Sequence, residues 1–198
     1  MRRPAETCVQ VLSVNRAVAR ETLIGTRRVM TAIAKQPAAG PVAVRALGLD
    51  GDEQADPSVH GGLSKAVYAY PIEHFPFWRT VRAQARAALW DDPLAPGTLG
   101  ENLTITGLLE DELWIGDRLV LPGCVLAVSE PRYPCFKFNA AMGFKHAAKL
   151  MVESAFCGAY LAVLEPGAVS AGDAIELVPG PREVNLRALF RSRAKAPT

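Results

Sequence analysis

The stretch Pro131-Arg132-Tyr133-Pro134-Cys135-Phe136-Lys137-Phe138-Asn139 concentrates more chemistry than any other part of the chain. Two prolines fix the backbone on either side of Tyr133, while Arg132, Cys135 and Lys137 fall within six residues of one another. Cationic neighbours favour the thiolate, which is both the metal ligand and the nucleophile. An arginine fork also grips phosphate. The segment therefore predicts a soft-metal or sulfur-transfer centre at Cys135. The competing account, a small buried hydrophobe at a strand end, suits Cys8, Cys124 and Cys157 better, because those three lie in apolar runs.

Two other segments could contribute. Gly48-Leu49-Asp50-Gly51-Asp52-Glu53-Gln54-Ala55-Asp56, followed by Val59-His60-Gly61-Gly62, is a polar loop in which glycines allow a ligand close to the backbone. In it His60 can donate to an anion or accept a proton. It reads equally well as a turn-rich loop whose carboxylates cap neighbouring amides. Its aspartates begin like a calcium loop, but Ala55 at the sixth position and Gly61 at the twelfth fail the turning glycine and closing glutamate. In Gly97-Thr98-Leu99-Gly100-Glu101-Asn102-Leu103-Thr104, Asn102 can offer a donor and an acceptor to a heterocycle edge, or simply cap a strand entry. No phosphate-binding GxxxxGK[ST], GxGxxG, HExxH or GxSxG motif is present.

These segments need a frame, and 198 residues with 49% apolar content supply one domain's worth of core. A net charge of +2 argues against a nucleic-acid-coating surface. Four scattered cysteines without a CxxC pair suggest reduced thiols and a cytoplasmic location. The start carries two arginines but no apolar run behind them, so no signal peptide is expected, and no stretch is apolar for the length a membrane span requires.

Alternating apolar residues predict strands over 8–14, 42–47, 65–70, 103–105, 113–115, 118–121, 125–129, 159–164 and 174–178. Leu121-Pro122-Gly123-Cys124 reads as a hairpin turn. The fourfold recurrence of Phe77, Val81, Ala85 and Leu89 predicts a helix over 72–90, and a second is expected over 140–155. Residues 16–35 read as a polar, basic connection, 182–190 as one or two helical turns, and the last eight residues as a frayed tail. The sum is a mainly β barrel with peripheral helices.

Lys35-Gln36-Pro37, GLDGDEQAD, VHGG with the following Lys65-Ala66-Val67-Tyr68, GENLT, Ile115-Gly116-Asp117, PRYPCFKFN and the Val169-to-Asp173 turn occur in this order from about residue 8 to 180. Together they resemble the MOSC domain, named for the C-terminal domain of molybdenum-cofactor sulfurases, and most closely its YiiM-like branch. The resemblance implies a closed β-barrel over 1–180 with a short extension over 181–198. It also implies binding of the molybdenum cofactor, a molybdopterin, with Cys135 as metal ligand and catalytic residue or as a persulfide carrier. Lys35, Arg132 and Lys137 would hold the pterin phosphate, with His60 and Asn102 lining the same pocket.

The activity implied is reduction of small N-hydroxylated compounds with electrons from a separate reductase. The alternatives are a sulfur or cofactor carrier, and a Cys135/His60 hydrolase. No nucleic-acid or membrane partner is expected, and a homodimer is left open. Two parts of related proteins are expected to be missing: the three-helix C-terminal module usual in the branch, and the pyridoxal-phosphate desulfurase half of the sulfurases.

Overall fold

The computed structural model describes residues 9–55 and 61–194. In chain order the strands are β1 (Gln10–Arg16), β2 (Arg20–Ile24), β3 (Arg27–Thr31), β4 (Gln36–Pro37), β5 (Val42–Arg45), β6 (Gly48–Leu49) and β7 (Val67–Pro71). They continue as β8 (Leu103–Thr106), β9 (Arg118–Leu121), β10 (Cys124–Pro131), β11 (Ala159–Glu165), β12 (Gly167–Val169) and β13 (Glu176–Val178). The α-helices among the described residues are α1 (Phe75–Gln84), α2 (Phe136–Met142), α3 (Ala147–Ser154) and α4 (Leu186–Ala194). The chain is thus mainly β with helices outside the sheet.

Eight strands form one curled sheet in the order β13-β9-β10-β11-β7-β8-β1-β4, which is a half-barrel and not the closed barrel expected. Closure fails for a local reason at each end. Strand β4 is two residues long and contains Pro37, which has no amide to donate, so pairing stops there. Strand β13 is three residues long and is followed by Pro179-Gly180-Pro181. Near the ends, β1 and the residues just before β13 approach through the bridge Gln10 to Ala174 and a few backbone hydrogen bonds around it, such as Val11 N–H to Asp173 O at 2.9 Å.

Every residue of β7 is buried, because the strand separates two cores. Val67 and Ala69 point into an aliphatic cluster inside the curve, with Leu103, Leu126 and Leu161. Tyr68 and Tyr70 point the other way, into an aromatic cluster with Trp78, Phe138 and Phe190 beneath the helices. Side chains alternate across a strand, so a strand covered on both faces reads as a continuous apolar run. Strand β7 pairs parallel with β8, and a parallel neighbour needs a long crossover, here containing α1.

The helices differ from their expected lengths. Arg86 at φ +58° ends α1, and Leu89 and Trp90, counted in the fourfold pattern or just beyond it, are exposed. The second expected helix starts earlier and is cut in two by Gly143 (φ +79°), whose Cβ, if present, would lie 3.1 Å from the Cβ of Ala87. Residues 113–115 form no strand, and Trp114 makes one isolated bridge to Asn185. The basic connection over 16–35 is largely the β2–β3 hairpin, a two-stranded sheet of its own. No described helix is long and apolar enough to cross a membrane.

Candidate active site

The pocket lies where the irregular ends of several strands meet. Thr31 ends β3 and Ala32 to Lys35 follow it, and the loop containing Asp52 and Glu53 follows β6. Gly100 and Asn102 precede β8, and Arg132, Cys135 and Lys137 follow β10 or open α2. Tyr68 and Tyr160 stand on neighbouring strands beneath them. Five of the six residues singled out from the sequence, Lys35, Asn102, Arg132, Cys135 and Lys137, therefore line one cavity. His60 lies outside the described residues.

Arg132 is buried, and no carboxylate of the described residues lies within ion-pair distance of it. Its guanidinium carbon sits 4.9 Å from the ring centre of Tyr68 and 5.1 Å from that of Phe138. Aromatic faces of this kind favour a cation without neutralising it. Burial opposes the charge, yet Tyr68, Tyr160 and Cys135 favour it, and the group is held above the ordinary arginine range. A buried cation compensated by ring faces, hydroxyls and sulfur but by no paired carboxylate leaves a positive potential in the cavity, which an anion would satisfy.

Lys35 is different, because it is already paired. Its ammonium is buried and contacts Asp52 Oδ1, which also accepts the Ala17 amide at 2.8 Å. Burial lowers the Lys35 pKa, against the opposing pull of Asp52. The other Asp52 oxygen accepts from Asn102 Nδ2 at 2.9 Å. Asn102 Nδ2 also donates to Asn15 O at 3.2 Å, and Asn102 Oδ1 accepts the Tyr68 amide at 3.1 Å. Asn102 therefore lines the pocket with both its amide hydrogens engaged, acting as a joint between β1, β7 and the Asp52 loop.

Beside it, Glu101 accepts from the Gly97 and Leu99 amides at 2.6 and 3.1 Å and from Thr104 Oγ1 at 2.9 Å. Burial raises the Glu101 pKa despite these donors. The GENLT segment is thus a structural clasp. Sequence reasoning missed Asp52 as the partner of Lys35, and Tyr68 and Tyr160 as the pocket's aromatic wall. The alternation of tyrosines with small residues in β7 was the available signal for Tyr68.

Cys135 is half-buried on the pocket wall, in extended backbone immediately before α2. Pro134 disfavours helical backbone at the preceding Tyr133, and Cys135 itself is the extended residue at the N-terminus of α2. Cys124 and Cys157 are core residues, as their apolar settings suggested, and Cys8 lies outside the described residues. Lys137 Nζ donates to Met30 O at 2.9 Å, tying α2 to the β2–β3 hairpin. Among the described residues no three His, Cys, Asp or Glu side chains converge to hold a metal. A metal at Cys135 would have to bring its remaining ligands with it. One soft sulfur among cations fits a metal carried in an anionic organic frame, as in a pterin dithiolene.

The comparisons with known proteins agree with this arrangement. The MOSC domain model matches residues 56–176. The chain belongs to the MOSC domain family. It is 38% identical over 168 residues to the uncharacterized protein YflK of Bacillus subtilis, spanning 85% of this chain and 72% of that one. It is 37% identical over 158 residues to protein YiiM of Escherichia coli, spanning 79% and 68%. A protein named reductase from Gibberella moniliformis is 35% identical over 175 residues, 83% of this chain but 29% of that protein. The crystal structure of YiiM from Geobacillus stearothermophilus superposes with a TM-score of 0.74 at 29% identity, covering 94% of this chain and 84% of that one. This MOSC chain is accordingly YiiM-like in sequence and fold.

Proposed function

We propose that this MOSC protein holds a molybdenum cofactor at Cys135 and uses it to reduce small N-hydroxylated compounds. The observation that carries the reading is the convergence of Cys135 with Arg132, Lys137 and Lys35 on one cavity. The cofactor, when bound, supplies a two-electron redox centre. The overall change is R–NH–OH plus two electrons and two protons giving R–NH2 and water. No flavin, nicotinamide or iron-sulfur motif stands in the chain, so the electrons come from a separate reductase. The presence of a similar segment within a longer protein named reductase supports redox work for this domain.

The residues divide the task. Cys135 Sγ ligates the metal, and Arg132 with Lys137 holds the anionic frame. Arg132 can bind two oxygens at once through its planar fork. Tyr68 and Tyr160 narrow the floor and exclude water. Lys35 Nζ, buried beside Asp52, holds the proton that the departing hydroxyl oxygen needs, and Asn102 keeps Asp52 in place for that role.

Molybdenum and pterin content of protein from a molybdenum-replete host tests the reading. Cys135→Ser is expected to lose the metal while keeping the fold, and Cys124→Ala to keep the metal while losing roughly 1–2 kcal/mol of stability. The opposite pattern refutes the assignment. Loading without turnover of an N-hydroxylated purine, with reduced viologen as donor, identifies a carrier instead.

A further inference from the structure

We infer that the face around the Cys135 mouth docks an acidic electron-transfer protein, with the β2–β3 hairpin and α4 as its two basic flanks. The inference rests on the redox reading above. Three elements meet at residues 133–137. The hairpin joins through Met30 O and Lys137 Nζ, and α2 begins there. Helix α4 lies against Tyr133 through Phe190, with ring centres 5.0 Å apart and nearly parallel, and through the Tyr133 hydroxyl bonded to Leu189 O. The Arg193 charge acts on that same tyrosine.

The charge on these elements is lopsided. The hairpin, α2 and α4 together carry seven Lys and Arg (Arg20, Arg27, Arg28, Lys137, Arg187, Arg191, Arg193) against one acidic residue, Glu21, whereas the whole chain carries 22 against 20. The remainder is therefore net acidic, with 15 against 19. Arg28 pairs with Glu21 and Arg187 with Asp111, but among the described residues Arg20, Arg27 and Arg191 have no ion-pair partner. None of these arginines lines the pocket itself, but they stand on elements that adjoin it, and basic elements on an otherwise acidic body orient an acidic partner before contact.

The hairpin also says what kind of acidic partner. Glu21, Leu23, Arg28 and Met30 lie on one face of it, since Glu21 pairs with Met30 and Leu23 with Arg28, while Arg20 and Arg27 lie on the other. Leu23 is 68% exposed and Met30 50%. Methionine and arginine together suit a protein interface, where apolar side chains are buried within a polar rim. A phosphate backbone would leave Leu23 and Met30 unburied, and the hairpin carries no aromatic side chain on which a base could stack. A two-stranded ribbon exposed on most of its surface gains stability from such burial.

Binding of the full-length chain to reduced flavodoxin, an acidic one-electron donor, tests the inference, with a single-stranded oligonucleotide as competing polyanion. At about 20 mM salt, Arg27→Glu/Arg28→Glu and Arg191→Glu/Arg193→Glu are each expected to weaken flavodoxin binding at least about tenfold, and about 500 mM salt to abolish the difference. Leu23→Ser/Met30→Ser is expected to weaken it several-fold at both salts. Arg79→Glu on α1 serves as a charge control and is expected to leave binding unchanged.

Equal losses in Arg79→Glu, no loss in the two double reversals, or no detectable binding overturns the inference. So does tighter binding to the oligonucleotide than to flavodoxin. Turnover with reduced viologen needs no docking and is expected to survive all of these substitutions. Its absence in the unsubstituted protein refutes the redox reading, while the binding measurements still report on the surface.

Discussion

Arg132 takes a full positive charge into the interior with aromatic faces, hydroxyls and a thiol around it, and that imbalance sets the chemistry of the pocket. Arg132→Lys keeps the charge but loses the planar fork and the stacking on Tyr68. Molybdenum per chain after extended dialysis is expected to fall roughly tenfold in that variant. Lys35 gives a pH signature. Burial lowers its pKa, so activity that needs its proton is expected to fall at alkaline pH below the range of an exposed lysine, about 10.4. In Lys35→Arg that limb should move up or vanish, and nitrogen NMR of the Lys35 ammonium in cofactor-free protein should titrate at the same pH as the wild-type limb.

The buried Cys124 thiol gives a stability signature. Burial, with Asp173 nearby, pushes its pKa up to about 11 from 9.0. The unfolded thiol ionises first as pH rises, so the fold binds more protons and loses stability between about pH 9 and 11. Denaturant midpoints across that range are expected to fall more steeply for the wild type than for Cys124→Ala, by roughly 2–3 kcal/mol. At this scale most of the site was legible, because Cys135, Arg132 and Lys137 are neighbours in sequence. Asp52 and Tyr160 were not, since their roles come from partners brought in by the fold.

At the scale of elements, the pocket depends on turns that only glycine can make. Gly97 has φ +86°, and a Cβ there would meet the carbonyl oxygen of Lys35 at 2.5 Å. Gly97→Ala is expected to cost about 1–3 kcal/mol in thermal or denaturant unfolding and to displace the Lys35 backbone. The NMR position of the Lys35 ammonium should shift with it. Strand positions were the readable part, as β9 and the β9–β10 turn coincide with the predicted run and turn. Helix ends were not, because the apolar period of α1 continues past Arg86 into residues with nothing to pack against. The hairpin at 20–31 escaped notice because both its faces are largely exposed and carry charge, so it has no buried-face alternation to read.

Across the whole molecule, two cores share one sheet, and α4 seals the aromatic one. Phe190 is fully buried and stacks on Tyr133, two residues from Cys135. Phe190→Ala is expected to lose about 3–5 kcal/mol of unfolding free energy. It is also expected to loosen the 131–135 turn, which proteolysis of the native state would detect as faster cutting there. Residues 191–194, read from the sequence as the start of a basic tail, continue α4 with Arg191, Ser192 and Arg193 exposed, so the seal is made by Leu186 and Phe190. The helical turns expected over 182–190 are there, but their sealing role was not legible, because one phenylalanine in a short arginine-rich stretch sets up no period.

An open sheet with two short ends offers edges to which a neighbouring molecule could add a strand. Pro37 answers for one end: lacking an amide, it offers an incoming chain an incomplete ladder. The three residues of β13, halted by Pro179, give the other end too little length to template a newcomer. The same prolines that keep the barrel from shutting thus guard it against polymerising.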